Sequence, residues 1–186
     1  MSDENANDEK GFVKVMNSPV VLSYDFSAGN ATSRFLREMK NGRVVGQRSP
    51  ITGKIIIPPR GADPETGTPT SHDEELSQRG TVISFTIVHL PIPGNPIQPP
   101  YIIANMVLDG SDQSFIHLVS ECDNDSIQMG TRVEAVWKDE SEWDYSFENI
   151  KYFRPTDEPL MDIDQLKADS QAAAADWVAT HGSKQQ

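Results

Sequence analysis

The chain has few of the residues on which disulfide-stabilised and membrane proteins depend. Its one cysteine, Cys122, excludes an intramolecular disulfide and fits a reducing cytoplasm. No apolar run approaches the length of a membrane span, and the polar, acidic N-terminus lacks the pattern of a signal peptide. We therefore expect a cytoplasmic protein that has no membrane partner.

Motifs for independent catalysis are also missing from the sequence. It contains no glycine-rich phosphate loop, no nucleophile elbow and no paired metal-binding histidines. Of the four dispersed histidines, His89 and His117 fall in predicted strands, where a structural role is commoner than a catalytic one. The acidic residues between 139 and 144 are typical of a solvated loop rather than of a general acid–base pair. We expect no catalytic residue and no enzyme activity from this chain alone.

What the sequence does contain is a set of segments with the period-two pattern of strands. In the first, Ile83, Phe85 and Ile87 are predicted to share one face. Four further strands are predicted, with Gly110, Gly130 and a proline-rich loop over 91–100 between them, at 101–108, 114–119, 132–137 and 149–153. Five strands at this spacing predict a mainly β protein built on a five-stranded Greek-key barrel of the OB type.

A helix is predicted on each side of this barrel. Thr32 or Ser33 is expected to cap the first helix, and Gly42 to end it. Asp162 is expected to cap the second helix, whose apolar stripe is Ile163, Leu166, Ser170, Ala173 and Trp177, and this helix must dock on its own barrel or on a partner. The predicted parts are a flexible tail (1–31), a helix and ribbon-like module (32–78), the barrel (79–156) and a C-terminal helix and tail (157–186).

Two pentapeptides in the second part repeat one pattern: Ser49-Pro50-Ile51-Thr52-Gly53 and Asp63-Pro64-Glu65-Thr66-Gly67. With cysteine at the first and fourth positions, each would be a knuckle of a zinc ribbon, which supplies two thiolates to a tetrahedral Zn²⁺. Here the four ligand positions hold Ser49, Thr52, Asp63 and Thr66, which are poor zinc ligands. We interpret the module as a ribbon without zinc and expect no metal cofactor. Ordinary turn chemistry occurring twice is the alternative.

Short motifs along residues 32–156 carry a resemblance to a known family. The matching segments, in order, are Ser33-Arg34-Phe35-Leu36, Asn41–Arg48, Lys54–Arg60, Arg79–Thr86, Pro99-Pro100-Tyr101, Leu108-Asp109-Gly110, Met129–Val133 and Tyr152-Phe153-Arg154-Pro155. They resemble proteins with an N-terminal rubredoxin-like zinc ribbon and a C-terminal OB-fold, long catalogued as a domain of unknown function. The resemblance implies a thiolase-fold partner in a hetero-oligomer that processes acyl-CoA. The residues of these segments are most similar to those of family members linked to sterol side-chain catabolism.

Charge separates the two halves of this architecture. The formal net charge is −12, yet residues 34–60 contain seven basic residues and only one acid, Glu38. The rest of the chain has nine basic and 27 acidic residues, and such an acidic barrel repels a phosphate backbone. We expect any CoA phosphate, or an acidic rim of the partner, to meet the basic segment. Its candidate residues are Arg34, Arg37, Arg43, Arg48, Lys54 and Arg60.

The hypothesis from the sequence is therefore a non-catalytic accessory subunit of a thiolase or of a steroid side-chain aldolase. It would stabilise its partner and help bind the acyl-CoA, with the CoA thioester as a shared ligand. Two alternatives come from other classes: an OB-fold protein that binds single-stranded nucleic acid, and an independent hydrolase or lyase. The charge of the barrel disfavours the first, and the missing nucleophile constellation disfavours the second.

Overall fold

The structure of the protein is a computed structural model that describes Ser18, residues 20–70 and residues 72–182. Residues 1–17, where the predicted tail begins, lie outside the described residues. Two α-helices flank eight strands, and three short 3₁₀ helices lie in the loops. In chain order the main elements are α1 (Gly29–Lys40), β1 (Val45–Arg48), β2 (Ile55–Ile56), β3 (His72–Glu75), β4 (Arg79–Val88), β5 (Tyr101–Leu108), β6 (Ser114–Val119), β7 (Arg132–Trp137), β8 (Ile150–Pro155) and α2 (Ile163–His181).

The predicted five-stranded barrel is confirmed. It is closed in the order β4-β5-β6-β8-β7, and all its neighbours are antiparallel except β6 and β8, which meet in parallel at Val119 and Phe153. Strand β4 departs from strict alternation because its register to β5 shifts between Val82 and Ser84. Ile83 is thus the extra residue of a β-bulge, and the expectation that it shares a face with Phe85 and Ile87 is wrong.

A second, three-stranded sheet precedes the barrel in the order β2-β1-β3. Its strand β3, His72–Glu75, is one that the sequence analysis did not predict. That segment is His-Asp-Glu-Glu, without apolar alternation, and it becomes a strand because its backbone pairs with β1 from Val45 to Arg48. The missed strand brings three carboxylates beside the basic segment.

Helix α1 starts earlier than expected, at Gly29, which lies inside the predicted tail of residues 1–31. Neither Thr32 nor Ser33 caps it, because the N-cap is Ala28 and no side chain accepts there. Thr32 instead donates its hydroxyl to the carbonyl of Pro59, at 3.3 Å. The predicted end is confirmed: Gly42 has φ +71° and its N–H donates to the Met39 carbonyl at 3.2 Å.

Helix α2 begins as predicted, with the Asp162 carboxylate accepting from the N–H groups of Asp164 (2.8 Å) and Gln165 (3.1 Å). Four residues of the predicted stripe, Ile163, Leu166, Ser170 and Trp177, are half-buried, but Ala173 is exposed and its neighbour Ala174 is buried instead. The helix packs on its own chain. No helix among the described residues is long and apolar enough to cross a membrane.

One hydrophobic core joins the helix–ribbon module to the barrel. Phe35 and Met39 of α1 belong to the same buried cluster as Met106 and Phe153 of the barrel. The Asn149 side-chain amide reinforces the junction by donating to the Met39 carbonyl at 3.1 Å. Because the two parts share a core, the ribbon is held in a fixed place against the barrel.

Candidate functional site

The two pentapeptides form turns with the same backbone hydrogen bonds. In the first, the Gly53 N–H donates to the Ser49 carbonyl at 3.0 Å and the Ser49 N–H to the Lys54 carbonyl at 2.8 Å. In the second, Gly67 donates to Asp63 at 2.8 Å and Asp63 to Thr68 at 2.8 Å. Both glycines are left-handed, with φ +72° and +70°, which accounts for glycine at the fifth position. The repeat in the sequence is therefore a repeat in structure.

Three of the four predicted ligand positions converge between these turns. The Ser49 hydroxyl donates to Asp63 Oδ2, and the Thr52 hydroxyl donates to the same oxygen at 2.9 Å. Ser49 and Asp63 are buried, at 0% and 2% exposure. The fourth residue, Thr66, is exposed and donates its hydroxyl to Thr68 Oγ1 at 3.0 Å, away from the cluster. A carboxylate that accepts from both knuckles thus ties the ribbon together.

The same side chains also hold their own turns. Ser49 Oγ accepts from the N–H groups of Ile51 (3.3 Å) and Thr52 (3.1 Å), and Asp63 Oδ1 accepts from the Glu65 N–H at 2.8 Å. Burial alone raises the pKa of the Asp63 carboxyl. The hydrogen bonds from Ser49, Glu65, Thr52 and the Thr66 backbone outweigh burial and hold this pKa below its usual value. Asp63 is therefore an anion in the folded protein at neutral pH.

These residues do not fit a zinc ion. One carboxylate and three hydroxyls are a hard, weakly binding donor set, whereas structural zinc is held by thiolates and imidazoles. The Asp63 oxygens are already occupied by hydroxyl and amide donors. Among residues 20–70 and 72–182, no group of three or more His, Cys, Asp or Glu side chains is arranged to hold a metal ion.

The structure pairs most of the predicted basic site with acids. Four of the six candidates contact carboxylates: Arg34 meets Asp73, Arg43 meets Glu38 (3.1 Å) and Glu75 (3.0 Å), Arg48 meets Glu74, and Lys54 meets Glu65. Three of these partners come from β3, the strand that the sequence did not predict. Within the described residues, Arg37 and Arg60 form no ion pair, and both are exposed.

Of these four basic residues, Arg48 has the side chain that is least exposed to solvent. Its side chain is only 14% exposed, and Nη2 donates to Glu74 Oε2 at 2.6 Å while Nη1 donates to the Gly53 carbonyl at 2.6 Å. The hydrogen bond from Arg48 and its positive charge lower the pKa of Glu74 despite partial burial. The guanidinium also lies 5.3 Å from the centre of the Trp177 ring. Arg48 therefore joins the first knuckle, β3 and α2 instead of facing a ligand.

Asp112 makes contacts that the sequence gave no reason to expect. Its Oδ2 accepts from the Ile55 N–H at 2.7 Å, its own N–H donates to the Ile55 carbonyl at 3.1 Å, and Oδ1 accepts from the Ser170 hydroxyl. Ribbon, barrel and α2 thus meet at one carboxylate. A groove of about 380 Å³ runs along this junction, lined in part by Arg48, Leu108 and Asp112.

A second internal ion cluster links two of the motifs that carried the resemblance. Arg132 donates to both oxygens of Asp109, at 2.6 Å each, to Glu158 at 3.0 Å and to the Thr81 hydroxyl at 2.8 Å. Only 8% of its side chain is exposed, and the hydrogen bonds that it donates to Asp109 raise its pKa further above its usual value. The cluster holds the barrel strands and the segment leading to α2 together.

The side chains set aside as non-catalytic lie in structural surroundings. His117 packs edge-on against Phe147 and Phe153, with ring centres 5.5 and 5.4 Å away, and burial lowers its pKa. His89 lies one residue beyond the end of β4, which corrects its predicted place in a strand. Burial raises the pKa of the half-buried Cys122 thiol, and the Asp123 charge adds to the shift. A thiol of raised pKa is a poor nucleophile.

Comparisons with known proteins agree with this architecture. Residues 73–138 match the family model described as the ChsH2 C-terminal OB-fold domain. A DUF35 domain-containing scaffold protein from Methanocaldococcus jannaschii is 28% identical over 96 residues, which are 51% of this chain and 67% of the relative.

Two solved structures share the fold. One is described as an Ltp2-ChsH2(DUF35) aldolase; it superposes with a TM-score of 0.51 at 22% identity, over 68% of this chain and 95% of that one. The other is a DUF35 family protein from Sulfolobus solfataricus, with a TM-score of 0.51 at 16% identity over 68% of this chain and 84% of that one. At these identities the likeness concerns the fold. Together with the family match, it shows that residues 73–138 are similar to a ChsH2-type C-terminal OB-fold domain and that the chain shares its fold with DUF35 proteins.

Proposed function

We propose that this protein is a non-catalytic accessory subunit that assembles with a thiolase-type acyl-CoA enzyme. The observation that carries the proposal is the ChsH2-type OB-fold, together with relatives whose descriptions name a scaffold protein and an Ltp2-ChsH2 aldolase. The arrangement of the conspicuous charged side chains supports it. Arg48, Asp63, Asp112 and Arg132 all bind other parts of the same chain, as in a rigid platform for a partner.

The ligand class that we assign to the complex is an acyl-CoA, with a thiolase or a steroid side-chain aldolase as the partner. The resemblance to sterol-linked members of the family supports the second kind. For the CoA phosphates we assign Arg37 and Arg60, because the other four predicted basic residues are already paired with carboxylates. The junction of α1 with Pro59 places the two arginines on neighbouring elements.

Binding of single-stranded nucleic acid is less well supported. Residues 79–156 contain five basic and eleven acidic side chains. Three of the basic ones, Arg79, Arg132 and Arg154, form ion pairs with carboxylates. A surface with a net negative charge repels the phosphates of a nucleic acid, and few counterions would be released if one bound to it.

The partner is tested by co-purification from the native host under mild conditions. We expect a tagged full-length chain to recover a thiolase-fold protein in a fixed ratio, and we expect acyl-CoA turnover only from the complex. Co-expression should also raise the soluble yield of the partner, because an accessory subunit covers surface that the partner exposes alone. Recovery of this chain without any thiolase-fold protein would contradict the proposed function.

The metal-free ribbon is tested by elemental analysis of the purified protein. We expect far less than one zinc per chain and no change in the melting temperature on adding a chelator. The matched variant carries Ser49→Cys, Thr52→Cys, Asp63→Cys and Thr66→Cys. Because both turns have the same backbone geometry, this variant should bind one zinc per chain through four thiolates. Stoichiometric zinc in the natural protein, or none in the variant, would refute the interpretation.

The role of Asp63 predicts a pH-dependent loss of stability in Asp63→Asn. Removing the buried charge that accepts from Ser49 and Thr52 should cost about 2 kcal/mol in the free energy of unfolding at pH 7. The folded-state pKa of Asp63 is lowered, so its contribution is present above the unfolded value of about 4 and is lost as the pH falls through the folded value.

Urea titrations of the natural protein and of Asp63→Asn between pH 7 and pH 3 measure this difference. The gap between the two should narrow below about pH 4. The exposed Asp157→Asn is the matched control and should change stability little at either pH. A gap that stays constant down to pH 3, or one as small as that of the control, would show that Asp63 does not hold the ribbon as an anion.

The assignment of the CoA phosphates is tested with Arg37→Ala and Arg60→Ala combined in the complex. Each exposed charge contact contributes up to about 1 kcal/mol, so the double variant should bind acetyl-CoA roughly tenfold more weakly at low salt. The loss should shrink at high salt because the charges are exposed. Arg48 is unsuitable for this test because its replacement breaks the partly buried pair with Glu74.

The matched control combines Lys151→Ala and Lys167→Ala, which removes two positive charges from other surfaces. Isothermal titration of both double variants at two salt concentrations separates a local contact from net charge. Equal affinities for the two double variants would show that Arg37 and Arg60 are ordinary surface residues, and would leave the accessory function untouched.

A further inference from the structure

The segment before α1 exposes an unusual run of large apolar side chains. Five of the seven residues from 20 to 26 are apolar and largely open to solvent: Val20 (77%), Val21 (90%), Leu22 (78%), Tyr24 (75%) and Phe26 (80%). Single exposed hydrophobic residues are normal on a protein surface, but a contiguous set marks an interaction site. The barrel and ribbon do not cover this segment.

The order of these residues is that of a β-strand. Val20, Leu22, Tyr24 and Phe26 stand at alternate positions, so in an extended chain they would share one face. The Tyr24 and Phe26 rings already lie near each other, with centres 6.5 Å apart. The intervening positions are Val21, Ser23 and Asp25. A helix would instead spread the four apolar residues around its circumference.

The backbone of this segment is without the hydrogen bonds that a strand needs. No main-chain bond joins residues 20–26 to any other described residue, and none of them belongs to a helix or strand. A chain that alternates in this way gains both apolar burial and backbone pairing when it joins an existing sheet edge. The segment is therefore suited to β-strand addition.

Among residues 20–70 and 72–182, a second copy of this protein offers no suitable edge. The barrel is closed, and at its weakest seam, between β6 and β8, Phe147 packs against Phe115 and His117. In the ribbon sheet one edge, β2, has two residues, and the other, β3, carries Asp73, Glu74 and Glu75. Short and charged edges of this kind resist strand addition.

We propose that residues 20–26 add as a β-strand to a sheet edge of the thiolase-type partner. Val20, Leu22, Tyr24 and Phe26 then fill an apolar groove beside that edge. This inference rests on the proposed function, whose partner it uses. Seven extended residues span about 23 Å, and four such side chains bury roughly 500 Å², which is less than the 800 Å² or so per partner of a standard interface. The segment therefore anchors a larger contact between the two subunits.

Hydrogen exchange of the full-length chain, free and in complex with the co-purified thiolase-type subunit, tests the pairing. In the free chain the amides of residues 20–26 should exchange at the rate of an unstructured peptide. In the complex, alternate amides should exchange at least a hundredfold more slowly, since an added edge strand pairs only every second N–H with its neighbour.

Two variants test the side chains and keep the fold intact, because the segment lies outside the core. Leu22→Ser with Phe26→Ser should weaken assembly with the partner by at least a hundredfold. The matched control, Val21→Ser, alters the other face and should weaken assembly no more than about threefold. The melting temperature of the free chain should be unchanged in both. Surface plasmon resonance with the immobilised partner measures the affinities.

The outcomes separate the inference from the proposed function. If the complex forms but residues 20–26 stay unprotected, or if both variants bind equally well, the strand proposal is wrong and the accessory function stands. If protection arises in the free chain together with dimers in sedimentation, a second copy is the occupant and the proposal is overturned. If no thiolase-type protein co-purifies, the proposed function and the strand proposal both fall.

Discussion

The buried carboxylate of Asp63 takes the part that a metal ion plays in a zinc ribbon. It accepts hydrogen bonds from Ser49 and Thr52 of the opposite knuckle, so one anion joins two turns whose first residues, Ser49 and Asp63, lie 14 positions apart. A charged acceptor is needed because two neutral turns of this size would bring together little apolar surface and would hold each other weakly. Helix α2 packs on the tight turn at Gly53, in the first of these two knuckles.

The position of Gly53 shows how the closure extends to the rest of the molecule. A Cβ at this residue would lie 2.2 Å from the Ala174 carbonyl, so α2 touches the knuckle backbone directly. Arg48 donates a hydrogen bond to the Gly53 carbonyl. The Asp112 carboxylate accepts from the N–H of the nearby Ile55 and from the Ser170 hydroxyl of α2. Ribbon, barrel and C-terminal helix are thus connected through polar contacts of defined geometry as well as through the shared core.

Ion pairs in the fold neutralise much of the positive charge that is concentrated in residues 34–60 of the sequence. A run of seven basic residues against one acid resembles a phosphate-binding surface when it is examined along the sequence. In the folded chain β3 lies beside β1, and Asp73, Glu74 and Glu75 neutralise Arg34, Arg48 and Arg43. Of the six candidate residues, only Arg37 and Arg60 form no ion pair among the described residues, so the charge pattern along the sequence overstates the basic surface of the fold.

How much of this could be predicted from the sequence differs between elements. The barrel strands were predictable because their apolar residues alternate, and the end of α1 at the left-handed Gly42 follows from local chemistry. Strand β3 was not predictable, since His-Asp-Glu-Glu has no alternation and becomes a strand only by pairing with β1. The bulge at Ile83 and the start of α1 at Gly29 were missed for the same reason: contacts with distant residues set them.

The sequence by itself determined the barrel class, the two repeated turns and the absence of thiolates from all four ligand positions. These are properties of local pattern and residue type, which do not depend on what lies beside them. Only the tertiary structure decided that three of those positions meet at Asp63 while Thr66 points away, and that Arg48 belongs to a partly buried ion pair while Arg37 stays exposed. Burial and ion pairing are relations between residues far apart in the chain, so they exist only once the chain has folded.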